Sequence, residues 1–84
     1  MRLEFEPQAW EDIRHWLQTD AKKLRRILDL IESVRRDPFQ GIGKPEPLKH
    51  QLRGAWSRRI DDEHRLVYRV NDGYLIILAC RFHY

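Results

Sequence analysis

The chain has 84 residues, of which 35% are charged and 42% hydrophobic, and its formal net charge is +3. This length excludes a large multidomain protein and predicts one domain over residues 1–84, because a chain of this size buries only about two-thirds of the surface that it exposes when unfolded. The single cysteine, Cys80, excludes an internal disulfide, and no apolar run approaches the roughly 20 residues of a membrane-spanning helix.

The N-terminal segment predicts a strand followed by a helix. Met1 to Phe5 alternate apolar and charged residues, which is typical of a strand with one buried face and unlike a signal peptide, so we expect a cytoplasmic protein. Pro7 suits the first turn of a helix that runs to about residue 18. Two sets of side chains mark its faces: Trp10, Ile13, Trp16 and Leu17 towards the core, and Glu11, Asp12 and Arg14 away from it.

A second helix is predicted after Asp20, a residue type that favours the N-cap position. It ends before Pro38, because proline disfavours the helical conformation in the residue that precedes it. Since the connection is short, the two helices should form a hairpin. The outer face of helix two is basic, which fits a solvated surface, with a nucleic-acid contact as the alternative. Its apolar stripe consists of Leu24, Ile27, Leu28, Ile31 and Val34.

The second half of the chain predicts a sheet. Residues 39–47 contain glycines and prolines that indicate an irregular loop, and strand-like runs follow at about 48–52, 56–60, 65–70 and 75–82. The Asn71-Asp72-Gly73 turn is a strong hairpin signal. We expect the helices to cover alternate side chains of the last two runs: Leu66, Tyr68 and Val70 in one, and Ile76, Leu78, Cys80 and Phe82 in the other.

The opposite face of that sheet is predicted to be cationic. By alternation it carries Arg65, Arg81 and His83, and Arg59 joins them if Arg58 points to the core. The basic excess lies in this half of the chain, since residues 1–42 contain eight basic and eight acidic residues, and residues 43–84 contain eight and five. A basic balance favours a polyanionic partner such as nucleic acid.

These residues suit the cleavage of RNA. The reaction needs a base for the 2'-OH, cations for the phosphorane and an acid for the departing 5'-oxygen. Glu46, held between two prolines, offers the carboxylate, and the cationic face offers arginines and a histidine. No metal site is predicted, because the histidines lack the short paired spacing of zinc ligands. The aromatic candidates for stacking on bases are Trp56, Phe82 and Tyr84.

A purely structural interpretation fits the same residues. Glu46 would then pair with a neighbouring lysine or arginine, Arg58 and Arg59 would be solvated, and the chain end would be frayed. The spacing of the residues does not decide between the two interpretations.

Four blocks of the sequence resemble the YoeB toxins of the RelE/ParE superfamily. They are residues 43–48 (GKPEPL), 54–60 (GAWSRRI), 63–68 (EHRLVY) and the pair His83-Tyr84. The resemblance extends over the full length of the chain. One departure is Phe82, where a tyrosine is usual.

The resemblance implies a microbial-ribonuclease-like α+β fold, with two N-terminal helices packed on one face of a mainly antiparallel β-sheet. It implies a toxin of a type II toxin–antitoxin system, an endoribonuclease that needs no metal or other cofactor and cuts messenger RNA in the A site of the 70S ribosome. The implied partners also include a YefM-like antitoxin, with operator DNA bound only through the antitoxin complex. No membrane partner is implied, and a homodimer is left open.

By position, the resemblance makes Glu46 the general base, His83 the general acid and Arg65 the main phosphate contact. Three further residues are expected to bind or orient the substrate: Lys49, Arg59 and Tyr84. The rival hypothesis is a non-catalytic, ParE-like toxin that inhibits DNA gyrase by binding. Such a toxin has no need to keep the acid, the base and the phosphate-binding arginine together.

Overall fold

A computed structural model describes residues 1–82. The elements follow in the order β1 (Arg2–Phe5), α1 (Pro7–Thr19), α2 (Ala21–Arg36), β2 (Glu46–Pro47), a 3₁₀ helix (His50–Leu52), β3 (Trp56–Arg59), β4 (Arg65–Asn71) and β5 (Tyr74–Ala79). Neither α-helix within this part of the chain has the length and apolar character to cross a membrane.

The strands form one sheet in the order β1-β5-β4-β3-β2. β1 is parallel to β5, and the other neighbouring pairs are antiparallel. The helices pack on one face of this sheet, where Ile27 and Leu30 meet Leu66 and Ile77 in the core. The predicted α+β fold, with two helices on a mainly antiparallel sheet, is therefore confirmed.

The predicted helical hairpin is also present. The Asp20 carboxylate accepts a hydrogen bond from the backbone N–H of Lys23 (3.1 Å), which caps the start of α2 as expected. The predicted inner face of α1 is partly wrong, because Trp10 and Leu17 are 54% and 65% exposed. The side chains of α1 that are buried are Ala9, Asp12 and Trp16.

The alternation predicted for the last strand is wrong for most of its length. Leu75 and Ile77 are fully buried in the core beneath the helices, whereas Ile76 and Leu78 were predicted to lie there. The cause is a β-bulge: Tyr68 pairs with Ile77, but Val67 pairs with Ala79. Because the extra residue reverses the alternation, Cys80 still reaches the core.

Residues 48–52 form no strand, contrary to the prediction. Pairing to β3 is limited to the two residues of β2, and a 3₁₀ helix follows. His50 has a left-handed backbone (φ 59°), which is incompatible with an extended strand. The N–H of Leu48 instead bonds to the carbonyl of Ala55 (2.9 Å) and closes a compact loop. The sheet therefore ends at Glu46 and Pro47, which makes Glu46 an edge residue.

Candidate active site

Glu46 and Arg65 meet on the face of the sheet that points away from the helices. Pairing across β3 and β4 places Arg58 beside the core residue Leu66, and Arg59 beside Arg65 on the opposite face. Arg58 and Leu66 are fully buried, so the predicted orientation of Arg59 and Arg65 is confirmed. Glu46 pairs with Ser57 and comes to the same face through the edge strand β2.

The distance between the Glu46 and Arg65 side chains is 4.0 Å, measured from Oε1 to Nη1. Arg65 Nη1 also donates a hydrogen bond to the hydroxyl of Ser57 (3.2 Å), a fully buried residue that lies between the two in the sheet. The side chain of Glu46 is 54% exposed and that of Arg65 is 24% exposed. An exposed carboxylate and a partly exposed guanidinium, the latter held by a hydrogen bond, are thus adjacent.

Arg59 and Lys49 are two further exposed cations, one beside Arg65 in the sheet and the other close to Glu46 in sequence. Arg59 is exposed, and its backbone carbonyl accepts a hydrogen bond from Arg26 of α2 (3.3 Å), so the cations of the sheet adjoin the basic face of the helix. Lys49 is exposed in the turn that leads from β2 to the 3₁₀ helix, three residues after Glu46. Both are placed to attract a polyanion.

Trp56, predicted to stack on bases, and Arg81, predicted for this face, both lie elsewhere. Trp56 pairs with Tyr68 on the helix side of the sheet and packs against the ring of Phe39 (centroids 4.8 Å apart), so it is not beside the Glu46 and Arg65 pair. The reason is the strict alternation in β3, which sends Ser57 to the open face and Trp56 to the core. Arg81 lines a polar surface groove with residues of α1, including Glu11 and His15.

His83 and Tyr84 lie outside the described residues, but the structure shows how the chain approaches them. The carbonyl of Phe82 accepts a hydrogen bond from the backbone N–H of Arg65 (2.9 Å). The N–H of Phe82 donates to Nδ1 of His64 (2.7 Å). Both backbone polar groups of the last described residue are thus bound, one to the first residue of β4 and the other to the residue directly before it.

Two side chains of α1 hold the same segment from the other side. Asp12 accepts a hydrogen bond from the N–H of Cys80 (3.0 Å), and the indole N–H of Trp16 donates to the Cys80 carbonyl (2.8 Å). Burial, reinforced by the Asp12 charge, raises the pKa of the Cys80 thiol to about 12, so this thiol is an inert core group. Asp12, predicted to face solvent, is therefore a buried anchor of the chain end.

The backbone is left-handed beside three of the candidate residues. Lys44, His50 and Phe82 have φ values of 53°, 59° and 64°. Non-glycine residues adopt this region rarely, and such strain persists where surrounding contacts enforce it, often at functional sites. These positions lie two residues before Glu46, directly after Lys49 and directly before His83.

The sequence analysis left two positions open for Arg58, pointing to the core or solvated, and the structure places it in the core. It is fully buried, whereas the structural interpretation of the sequence had it solvated. Its guanidinium donates to carbonyl groups in the loop that precedes Glu46. The available signal was the alternation of β3, which puts Arg58 on the same side as Trp56 and Ile60.

Within residues 1–82, no cluster of three or more His, Cys, Asp or Glu side chains is arranged to hold a metal ion. The chemically active groups of the described site are a carboxylate, guanidinium groups and an ammonium group. Such a set is suited to binding a phosphodiester and moving a proton at neutral pH.

Comparison with known proteins gives full-length matches. The family model described as the YoeB-like toxin of bacterial type II toxin–antitoxin systems matches residues 5–84. Toxin YoeB of Mycobacterium bovis is 58% identical over 82 residues, which cover 98% of this chain and 96% of that protein.

Solved structures agree with the sequence matches. The YoeB/ParE toxin from Agrobacterium tumefaciens has a TM-score of 0.95 and 49% identity, with 100% of both chains covered. Staphylococcus aureus YoeB has been solved as a dimer (TM-score 0.92) and in a heterotetrameric YoeB–YefM complex (TM-score 0.91). Each is 46% identical to this chain and covers 100% of it and 98% of the solved chain.

Proposed function

Because the chain belongs to the YoeB-like toxins of bacterial type II toxin–antitoxin systems, we propose that it is an endoribonuclease that cuts messenger RNA in the ribosomal A site. The observation that carries the proposal is the exposed Glu46 carboxylate 4.0 Å from the Arg65 guanidinium. A carboxylate beside a phosphate-binding arginine suits deprotonation of a 2'-OH next to the scissile phosphate.

In the proposed reaction, Glu46 takes the proton of the 2'-OH, and the resulting oxygen attacks the adjacent phosphorus. Arg65 stabilises the charge that develops on the phosphorane oxygens, with Arg59 and Lys49 supporting the neighbouring phosphates. His83 donates a proton to the departing 5'-oxygen, and Tyr84 orients the substrate. The products are a 2',3'-cyclic phosphate and a downstream 5'-hydroxyl. No metal ion or cofactor enters these steps.

The fixed position of Arg65 supports its proposed role. The bond from its Nη1 to Ser57 limits the motion of a long side chain, so less entropy is lost when a phosphate binds. Its backbone N–H holds the carbonyl of Phe82, the residue directly before His83. Arg65 therefore links the proposed base on one side to the segment that carries the proposed acid on the other.

The proposed partners follow from the family and the charges. The heterotetrameric YoeB–YefM complex from Staphylococcus aureus supports a YefM-like antitoxin for this chain, with operator DNA bound through that complex. The dimer of the same protein supports a homodimer. The ribosome and the A-site messenger fit a positive surface that runs from the sheet to α2 through the Arg26–Arg59 contact.

The test is cleavage of a defined messenger, with and without programmed ribosomes, followed by mapping of the fragment ends. We expect cuts in the A-site codon, on ribosomes only, with a 2',3'-cyclic phosphate upstream and a 5'-hydroxyl downstream. Glu46→Gln should abolish the cuts. The matched control is Glu4→Gln, which changes an exposed carboxylate on β1 at the other edge of the sheet.

Intact messenger in every reaction, from folded protein freed of antitoxin, would refute the proposal. The family match does not favour the ParE-like alternative. Inhibition of DNA supercoiling by gyrase at a stoichiometric amount of this protein would nevertheless support the ParE-like alternative.

A further inference from the structure

The segment that leads from α2 to Glu46 has no helix or strand of its own. It comprises residues 37–45, and its carbonyl groups converge on one side chain of β3. Arg58 Nη2 donates to the carbonyls of Asp37 (2.7 Å) and Gln40 (2.9 Å), and Nη1 donates to that of Ile42 (3.1 Å). A single guanidinium thus fixes three peptide groups of this segment.

The remaining donors of Arg58 bind side chains around the segment. Nη1 also donates to the Ser33 hydroxyl (2.7 Å), and Nε donates to the Tyr68 hydroxyl (3.2 Å). The Tyr68 hydroxyl in turn donates to the carbonyl of Pro38 (2.6 Å), which is a fourth peptide group of the segment. All five N–H groups of the guanidinium therefore have acceptors, the largest number that any side chain can satisfy.

Arg58 is an unusual buried charge. Its relative exposure is 0%, and within residues 1–82 no carboxylate lies within ion-pair distance of it. An unpaired buried charge is costly unless polar groups replace its water. Here those groups are carbonyl and hydroxyl oxygens at the C-terminal end of α2, where the helix dipole also favours a cation. Lysine has three donors and lacks the planar fork, so it cannot reproduce this set.

The segment packs closely against Arg58, with no space for a side chain at two of its glycines. A Cβ atom on Gly41 would lie 2.4 Å from the Ser33 hydroxyl and 2.8 Å from Arg58 Nη1. One on Gly43 would lie 2.7 Å from the Leu30 side chain. The carbonyl of Gly43 then accepts a hydrogen bond from the N–H of Arg59 (2.7 Å), which joins the segment to β3 next to Arg58.

We infer that Arg58 is a positioning residue for Glu46. The last bond from the segment to β3 is made at Gly43, and Glu46 follows three residues later with its backbone confined between two prolines. Loss of the guanidinium would release three peptide carbonyls upstream of the carboxylate, those of Asp37, Gln40 and Ile42. The inference rests on the proposed function for its catalytic consequence, but the order of the segment is measurable without it.

The test compares Arg58→Met, which keeps the stem and removes every donor, with Arg58→Lys. The control is Ile27→Val, a small truncation in the fully buried part of α2. Hydrogen exchange of the Arg59 amide, which is bonded to Gly43, reports the order of the segment. Single-turnover cleavage on ribosomes, measured below the unfolding temperature of each variant, reports the placement of Glu46.

We expect Arg58→Met to lower the maximal cleavage rate about 100-fold, the scale of a displacement of about 1 Å at a reacting group, with little change in ribosome affinity. Exchange of the Arg59 amide should accelerate at least about tenfold relative to amides in α2, since its acceptor is released. Arg58→Lys should fall between wild type and Arg58→Met, and Ile27→Val should change neither measurement more than about twofold.

The inference would be overturned if Arg58→Lys had the exchange rates and the cleavage per folded molecule of the wild type, and only its free energy of unfolding were lowered. Arg58 would then be a purely structural residue. If Arg58→Met does not fold, the lysine variant still decides by its exchange rates. Failure of the proposed function is distinguishable, since wild-type protein would then leave messenger intact while the exchange difference persists.

Discussion

His64 provides the sharpest test of how the chain end is held. Its ring is buried between Trp16 and Phe82, with centroids 4.8 and 5.5 Å away, and its Nδ1 accepts the N–H of Phe82 at 2.7 Å. Nδ1 is thus unprotonated, and the ring proton sits on Nε2, 3.4 Å from the Glu63 carboxylate. Two substitutions distinguish the packing of the ring from its role as a hydrogen-bond acceptor. His64→Phe keeps the packing, and His64→Asn keeps an acceptor near the position of Nδ1.

The expected cost of His64→Phe is about 1–3 kcal/mol, because the partly buried N–H of Phe82 is left without an acceptor. His64→Asn should instead lose the two aromatic contacts, each worth about 0.5–1.5 kcal/mol beyond the area that it buries. Urea unfolding gives both free energies. Exchange of the Phe82 amide should accelerate strongly in the phenylalanine variant and less in the asparagine variant.

The two variants should also differ in their cleavage rates. Because Phe82 directly precedes His83, the phenylalanine variant should lose more cleavage per folded molecule than the asparagine variant, even where their stabilities match. A phenylalanine variant within about 0.5 kcal/mol of wild type, with a protected Phe82 amide, would refute the role of Nδ1 as the acceptor.

Three further predictions concern other parts of the chain. Desolvation alone would raise the pKa of Asp61, but the Lys23 ammonium and two backbone N–H groups outweigh it and lower the pKa to about 2. The folded pKa lies below the unfolded value of 3.8, so Asp61 stabilises the fold above that pH and loses its effect as the pH falls towards 2. With its carboxylate about one-third exposed (34%), Asp61→Asn should cost about 1 kcal/mol in urea unfolding at pH 7 and nearly nothing at pH 2. Cys80, with its pKa raised to about 12, should resist iodoacetamide at pH about 8 in native protein and react in urea, and rapid native labelling would contradict its burial. Charge reversal at Arg25 and Arg26 should weaken ribosome binding in a salt-dependent manner, and an unchanged affinity would exclude α2 from the interface.

The parts of the fold that the sequence predicted are those set by short-range patterns. The apolar stripe of α2 and the Asp20 cap determine the helical hairpin, and both are local features. Alternation along β3 and β4 put Arg59 and Arg65 on one face, because these strands pair without interruption from Trp56 to Arg59. The periodicity of the apolar residues and the helix cap therefore suffice to predict the parts of the fold in which the strand pairing is regular.

The errors occur where long-range contacts override those patterns. The bulge opposite Val67 reverses the faces of β5, and no residue at that position signals it. Asp12 was assigned with Glu11 and Arg14 to the polar face of α1, but it is buried because the N–H of Cys80, 68 residues later, needs an acceptor. The sequence shows the donor and the acceptor types, but the fold alone brings them together.

The same distinction explains how the candidate site is built. Glu46 directly follows an irregular loop, and residues 80–82, which precede His83, follow the last strand. Each segment is held by a buried polar side chain: Arg58 of β3 holds the loop, and His64, directly before β4, holds Phe82. Arg65 lies between these two anchors, and its backbone and side chain contact both halves of the site. We therefore expect substitutions at Arg58 and His64 to be nearly additive in their effect on stability, since they anchor different segments, but to impair the same chemical step. A double variant whose stability loss far exceeds the sum of the single losses would show that the two segments are instead held as one cooperative unit.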